Sequence, residues 1–160
     1  MDQRTIDEER AKPVPAFSHL IDGRHVPASD GAQMDIISPI DGTVLTAAAK
    51  GTVADMNSAI ASARAAFEDG RWGGQSPAAR KKVLMKWADL IEANALELAV
   101  LGVRDNGTEI SMAIKAEPGS AAGTIRYYAE ALDKIYGEIA PTSSDAVSYT
   151  HLTLPTIYSV

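Results

Sequence analysis

Cysteine is absent from this 160-residue chain. Its absence excludes disulfides, zinc–thiolate centres and thiol catalysis within these residues. Aromatic side chains are scarce, 6% of the sequence against 46% hydrophobic overall, so the core is expected to be aliphatic and rich in alanine. No window approaches the roughly 20 apolar residues of a membrane-spanning helix. The opening stretch Met1 to Arg10 mixes acids with bases and has no apolar run, unlike a signal or transit peptide. A cytoplasmic location with no membrane partner is therefore expected. Basic residues are outnumbered: 15 Lys and Arg against 21 Asp and Glu leave a formal charge of −6. That balance argues against a nucleic-acid partner, which calls for a basic face. The basic cluster Arg80 to Lys86 reads as a solvated helix face.

The most informative stretch runs from Ser76 to Gly107. Ser76 is a good N-cap and Pro77 suits the first helical position. Leu84, Trp87, Ile91, Leu98 and Leu101 then recur at helical spacing, with Val83, Leu90 and Ala95 widening the stripe. Asn94 falls on the seam and predicts a break into two helices. Arg80, Lys81 and Lys82 sit near a helix start, where the macrodipole disfavours them, so an outside charge is expected to compensate. The stripe around Trp87 needs a covering surface. Nothing in the stretch is a nucleophile, a metal set or a phosphate loop.

The remaining chain reads as short strands followed by helices. Residues 1–16 are expected to form a flexible arm. Asp22-Gly23 supplies a two-residue turn between Leu20-Ile21 and Arg24-His25-Val26. Gln33 to Ile37 and Thr43 to Ala49 are strands about the Asp41-Gly42 turn. Thr52 and Asp55 form a capping box for a helix to about Glu68, with Val53, Met56, Ile60, Ala63 and Phe67 on its buried face. Gly102 and Gly107 bracket a connector, Thr108 to Ala116 reads as a short helix, and Pro118-Gly119 opens the last one. Ile125, Tyr128, Leu132 and Ile135 share a face of that last helix, and Gly137 caps it.

Titratable pairs fare poorly as sites. In the first hairpin His19 pairs with Val26 and Leu20 with His25, so the two histidines point to opposite sides. Arg126 and Glu130 read as a surface pair one turn apart. Glu109 and Glu117 are an acid/base couple only on paper, and Gly70, Gly73 and Gly74 match no phosphate loop. Asp105, in Asp105-Asn106-Gly107, is by composition a turn residue.

Taken in order, several pieces resemble the N-terminal part of the aldehyde dehydrogenase superfamily. They are Leu20-Ile21-Asp22-Gly23, Ile37-Ser38-Pro39-Ile40-Asp41-Gly42, Ala63 to Phe67 with Trp72, Ser76 to Glu92, Asp105-Asn106-Gly107, and Arg126-Tyr127-Tyr128-Ala129 with Asp133-Lys134 and Gly137. Phe67 to Trp72 and Asp133 to Glu138 are most similar to the gamma-glutamyl-gamma-aminobutyraldehyde dehydrogenase branch of putrescine breakdown. The resemblance implies an α+β fragment of the family's α/β fold, and NAD- or NADP-dependent oxidation of an aldehyde, with an aminoaldehyde such as gamma-glutamyl-gamma-aminobutyraldehyde the substrate of the most similar branch, by a homo-oligomeric parent. The family's nucleophile is a cysteine thiolate, and this chain has none; the family's cofactor-binding Gly motif and catalytic glutamate also fall downstream of the stretch it resembles, so the fragment is expected to bind no cofactor and to be inactive. The resemblance also implies a monovalent cation at Asp105, with backbone carbonyls from Ile36 and Ile37, and a substrate entrance at Ala116 and Ser120. Thr108-Glu109 stands where the family has Lys-Pro, and Gly102-Val103-Arg104 where it has Glu-Thr-Leu, so the loop near Asp105 departs from the pattern.

Residues 17–144 are thus expected to be an incomplete family domain, and 145–160 a linker with a non-native tail. From Val147 to Thr156 the sequence resembles a translated transposase adapter, and such scars are excluded from fold reasoning. The contrasting reading is a stand-alone helical interaction module that binds a partner helix through Leu84, Trp87 and Ile91.

Overall fold

A computed structural model describes residues 2–136, 138–140 and 148–150. Three two-stranded antiparallel sheets and five helices make up these residues. Strands β1 (His19–Ile21) and β2 (Arg24–Val26) form the first hairpin, in the expected register of His19 with Val26 and Leu20 with His25. Asp22 and Gly23 both take positive φ, 51° and 71°, the backbone that a tight hairpin needs to follow the strand twist. Strands β3 (Gln33–Ile37) and β4 (Val44–Ala49) pair next, with a register shift between Ile36 and Ile37. Phe17 bonds through its backbone to Ala47 and Ala49, tying the approach to β1 onto β4.

Helix α2 (Val53–Glu68) carries both halves of the capping box. Its orientation reverses the expected one. Val53, Met56, Ile60 and Phe67 are exposed, while Asp55, Ala59, Ser62 and Ala66 lie half-buried. The apolar stripe is present, but these residues do not cover it. The inward face is set instead by the polar contacts of Asp55.

Helix α3 (Pro77–Ala93) starts on the Ser76 cap and ends at Asn94, where α4 (Ala95–Asn106) begins, so the break falls where the sequence places it. Asn94 donates its side-chain amide to the Leu90 carbonyl at 2.7 Å, competing with the helical ladder. Gly102 lies inside α4 rather than in a connector. A Cβ there would come within 2.9 Å of Glu117 Oε2 on the next helix, so glycine lets the two helices approach closely. Gly107, at φ +78°, is the left-handed cap.

Helix α5 (Ile110–Ala131) joins the two helices expected on either side of Pro118 into one. The proline lacks the N–H that would bond the Ile114 carbonyl, yet it is buried within the helix. Tyr128 and Ile135 are exposed rather than on a buried face, and α5 stops at Ala131. The cap expected at Gly137 lies outside the described residues.

Alanine dominates the core, as the composition predicts. Ala88, Ala99, Ala113 and Ala122 are fully buried, and among the described residues no large side chain is. Trp87, Val83 and Leu90 stay exposed. Leu84 and Ile91 sink part-way into the α3 seam. The three residues of the partner-binding stripe are therefore not presented as one free face.

Residues 1–16 also differ from expectation: they include a helix, α1 (Gln3–Arg10), with Asp2 capping it through the Thr5 N–H. Charged i,i+4 partners such as Arg4 and Glu8 support it. Arg104 on α4 donates to the Lys12 carbonyl at 2.8 Å, anchoring the segment just after the helix. Past α5, β5 (Glu138–Ala140) pairs with β6 (Ser148–Thr150). The rest of the segment expected to be foreign lies outside the described residues.

Candidate substrate-entrance groove

Helices α3 and α5 pack on each other, and each buries alanines, Ala88 on one and Ala122 and Ala129 on the other. Small side chains bring the two backbones close. Beside this seam the surfaces diverge into an open groove of about 670 Å³. Trp87 and Ile91 form one wall, and Ala116, Ser120, Thr124 and Ile125 form the other. The two residues that the family resemblance assigns to a substrate entrance thus lie on one wall, facing the tryptophan across a largely apolar trough.

Ion pairs fasten the helices beyond the groove. Arg126 reaches Asp89 at 2.7 Å and grips both oxygens of Glu92, one of them at 2.8 Å. Lys81 meets Glu130 at 2.6 Å, which supplies the outside charge that the basic start of α3 called for. Both contacts replace the expected Arg126–Glu130 surface pair. Donation from Arg126 holds the Glu92 carboxyl below its ordinary range. In return the carboxylates of Glu92 and Asp89 raise the affinity of Arg126 for its proton.

Ser120 and Thr124 are the hydroxyls lining the groove and Glu117 is its one carboxylate, with no histidine beside them. Glu109 and Glu117 do not form an acid/base couple: Glu109 accepts from the Ser111 hydroxyl at 2.5 Å, and Glu117 lies against Gly102. Among the described residues no cluster of three or more His, Cys, Asp or Glu could hold a metal.

The cation set is placed in parts. Asp105 is exposed in the last turn of α4. Ile36 and Ile37 flank the register shift of β3, which interrupts the ladder where their carbonyls are wanted. The two segments meet at Gly107, whose Cβ position is 3.5 Å from Pro39 Cγ. One carboxylate with carbonyl oxygens is the donor chemistry of a hard cation, and on donor type the residues fit one.

A further polar cluster has no local signal in the sequence. Asp55 caps α2 and also accepts from the Ser29 backbone at 3.1 Å and the Ser29 hydroxyl at 3.3 Å. His19 Nε2 lies 3.8 Å from the same carboxylate. The Thr52 backbone donor, joined by those of Ser29, holds Asp55 down to about 2. The capping box was visible in the sequence, but partners 26 residues away had no local signal.

The profile of the Aldehyde dehydrogenase family matches residues 25–155. The chain belongs to this family, and its strands and helices are a piece of the family fold. The match runs on through most of the segment expected to be foreign. Among curated proteins, the chain is 43% identical over 125 residues to the NADP/NAD-dependent aldehyde dehydrogenase PuuC of Escherichia coli, covering 78% of this chain and 25% of that one. It is 39% identical over 129 residues to the aminoacetaldehyde dehydrogenase of Pseudomonas aeruginosa, covering 81% and 26%. Among solved structures, the gamma-glutamyl-gamma-aminobutyraldehyde dehydrogenase of Burkholderia cenocepacia superposes with a TM-score of 0.83 at 37% identity, covering 89% of this chain and 29% of that one. The chain therefore spans about a quarter of the length of these curated relatives.

Proposed function

We propose that this chain is the N-terminal part of an NAD- or NADP-dependent dehydrogenase that oxidises an aminoaldehyde to its carboxylic acid, and that the α3–α5 groove forms one side of the aldehyde's approach. The supporting observation is the groove itself, which gathers Ala116, Ser120 and Trp87 on facing helices of a family member. Its relatives include enzymes whose names specify aminoaldehyde substrates, and gamma-glutamyl-gamma-aminobutyraldehyde is the favoured candidate. Small residues at 116 and 120 leave room for a long, polar chain, while Trp87 offers a flat apolar face to its methylenes. The attacking thiolate lies on other residues, since none here is a cysteine. In this reading the chain alone neither binds the dinucleotide nor turns over aldehyde. The same proposal places the enzyme in the cytoplasm as a homo-oligomer, with a monovalent cation held by Asp105 and the carbonyls of Ile36 and Ile37.

The test is a chimera in which residues 17–144 replace their counterpart in the full-length Escherichia coli relative. Ala116→Phe in that enzyme should raise KM for a long aminoaldehyde about tenfold while leaving propanal little changed, a loss of roughly 1.4 kcal/mol in binding. Equal effects on both substrates, or none on either, would remove the groove from the substrate path.

A further inference from the structure

Arg10 on α1 and Arg104 on α4 line the same two adjoining clefts. The first is a polar pocket of about 230 Å³, walled also by Ser38, Asp41 and Thr43 of the β3–β4 turn. The second, of about 330 Å³, runs between α1 and α4 along apolar side chains, among them Ile6, Val100, Val103 and Ile110. Neither shares a residue with the α3–α5 groove.

The acids nearby are already engaged. Asp41 accepts from the Thr43 hydroxyl at 2.8 Å and from its backbone N–H at 3.1 Å, contacts that keep its carboxyl below the ordinary range. Asp7 accepts from the Gln3 amide at 2.9 Å, and Glu109 from the Ser111 hydroxyl at 2.5 Å. Arg104 gives one N–H to the Lys12 carbonyl. Among the described residues, no ion pair involves Arg10 or Arg104. Two guanidiniums from separate helices thus share a pocket with their donors largely unspent, in a chain whose formal charge is −6.

We propose that this junction binds an alkyl carboxylate, with its head between Arg10 and Arg104 and its chain in the apolar cleft between α1 and α4. Guanidinium forks match the two oxygens of a carboxylate. The adjoining apolar wall favours an alkyl chain over a bare anion, because the chain leaves water on binding. The proposal is independent of the groove and of the reaction proposed for it.

Octanoate, with octylamine and inorganic phosphate as controls, is titrated into the 160-residue chain and followed by backbone amide NMR shifts. Octanoate should move the amides of Arg10, Val103, Arg104 and residues 38–43, and bind at least about tenfold more tightly than either control, a difference of roughly 1.4 kcal/mol. Arg10→Gln, at an exposed position, should weaken octanoate about tenfold with an unchanged circular dichroism spectrum. Arg104→Gln should do the same, but it also removes the Lys12 contact, so Arg10→Gln is decisive. Shifts confined to Trp87 and Ser120, affinity unaltered by Arg10→Gln, or phosphate or octylamine binding as well as octanoate would each overturn the proposal.

Discussion

Replacing Ala122 by leucine tests whether alanine contacts set the spacing of α3 and α5. Ala88 and Ala122 have no exposed surface and Ala129 retains 1%, so the added carbons have no solvent-facing side to turn to. Were there room, three more buried carbons would stabilise the fold by roughly 0.8 kcal/mol each. Without room, α3 must move outward, and overpacking of this kind typically costs about 1–3 kcal/mol. At roughly 2–4 °C per kcal/mol for a chain of this size, the melting midpoint should fall by about 2–12 °C. Ala93→Leu, at an exposed position on α3, is the control and should stay within about 0.5 kcal/mol. Thermal denaturation followed by circular dichroism reads both. A midpoint for Ala122→Leu equal to or above the control would show slack in the seam, and the alanines would then not determine where the groove wall stands.

Acid stability should depend on Asp55. Its folded carboxyl, at about 2, lies below the ordinary 3.8, so its contribution is complete above about pH 4 and is lost as pH falls towards 2. Urea midpoints measured from pH 5 to 2 should fall less steeply for Asp55→Asn than for the parent; parallel curves would refute the assignment. Gly107→Ala should destabilise by about 1–2 kcal/mol, because an L-residue resists the left-handed φ of +78°. The Cβ itself would meet Pro39 only at an ordinary 3.5 Å, so an unchanged urea midpoint would mean that the backbone, not the side chain, had been misjudged.

Features that close within a few residues could be read from the sequence. The Asp22-Gly23 register, the Thr52–Asp55 capping box, the Ser76-Pro77 start and the Asn94 break each depend on one short segment. Features that depend on a distant partner could not. Arg126 looks paired to Glu130 along its own helix, yet it turns to Asp89 and Glu92, 37 and 34 residues away. Pro118 signals a helix start locally, but it is buried within α5, which runs on through it. The acids and bases of Gln3 to Arg10 look like a solvated arm until the Lys12 carbonyl is seen to be held by Arg104.

Periodicity marks which side chains share a face; it does not say what covers that face. On α2 the stripe of Val53, Met56, Ile60 and Phe67 is correctly aligned yet exposed, and the burial it asks for has no counterpart within these residues. The groove shows the same limit more sharply. Ala116 and Ala122 are identical in type and six residues apart on one helix, which puts them about 120° apart around its axis. Ala122 packs inside with no exposed surface, whereas Ala116 becomes part of an open wall across from Trp87. Composition and spacing alone cannot separate the two roles, because each asks only for a small side chain. Family resemblance singles out Ala116, and the surroundings separate it from Ala122: one alanine is enclosed by its neighbours, and the other lines an open groove.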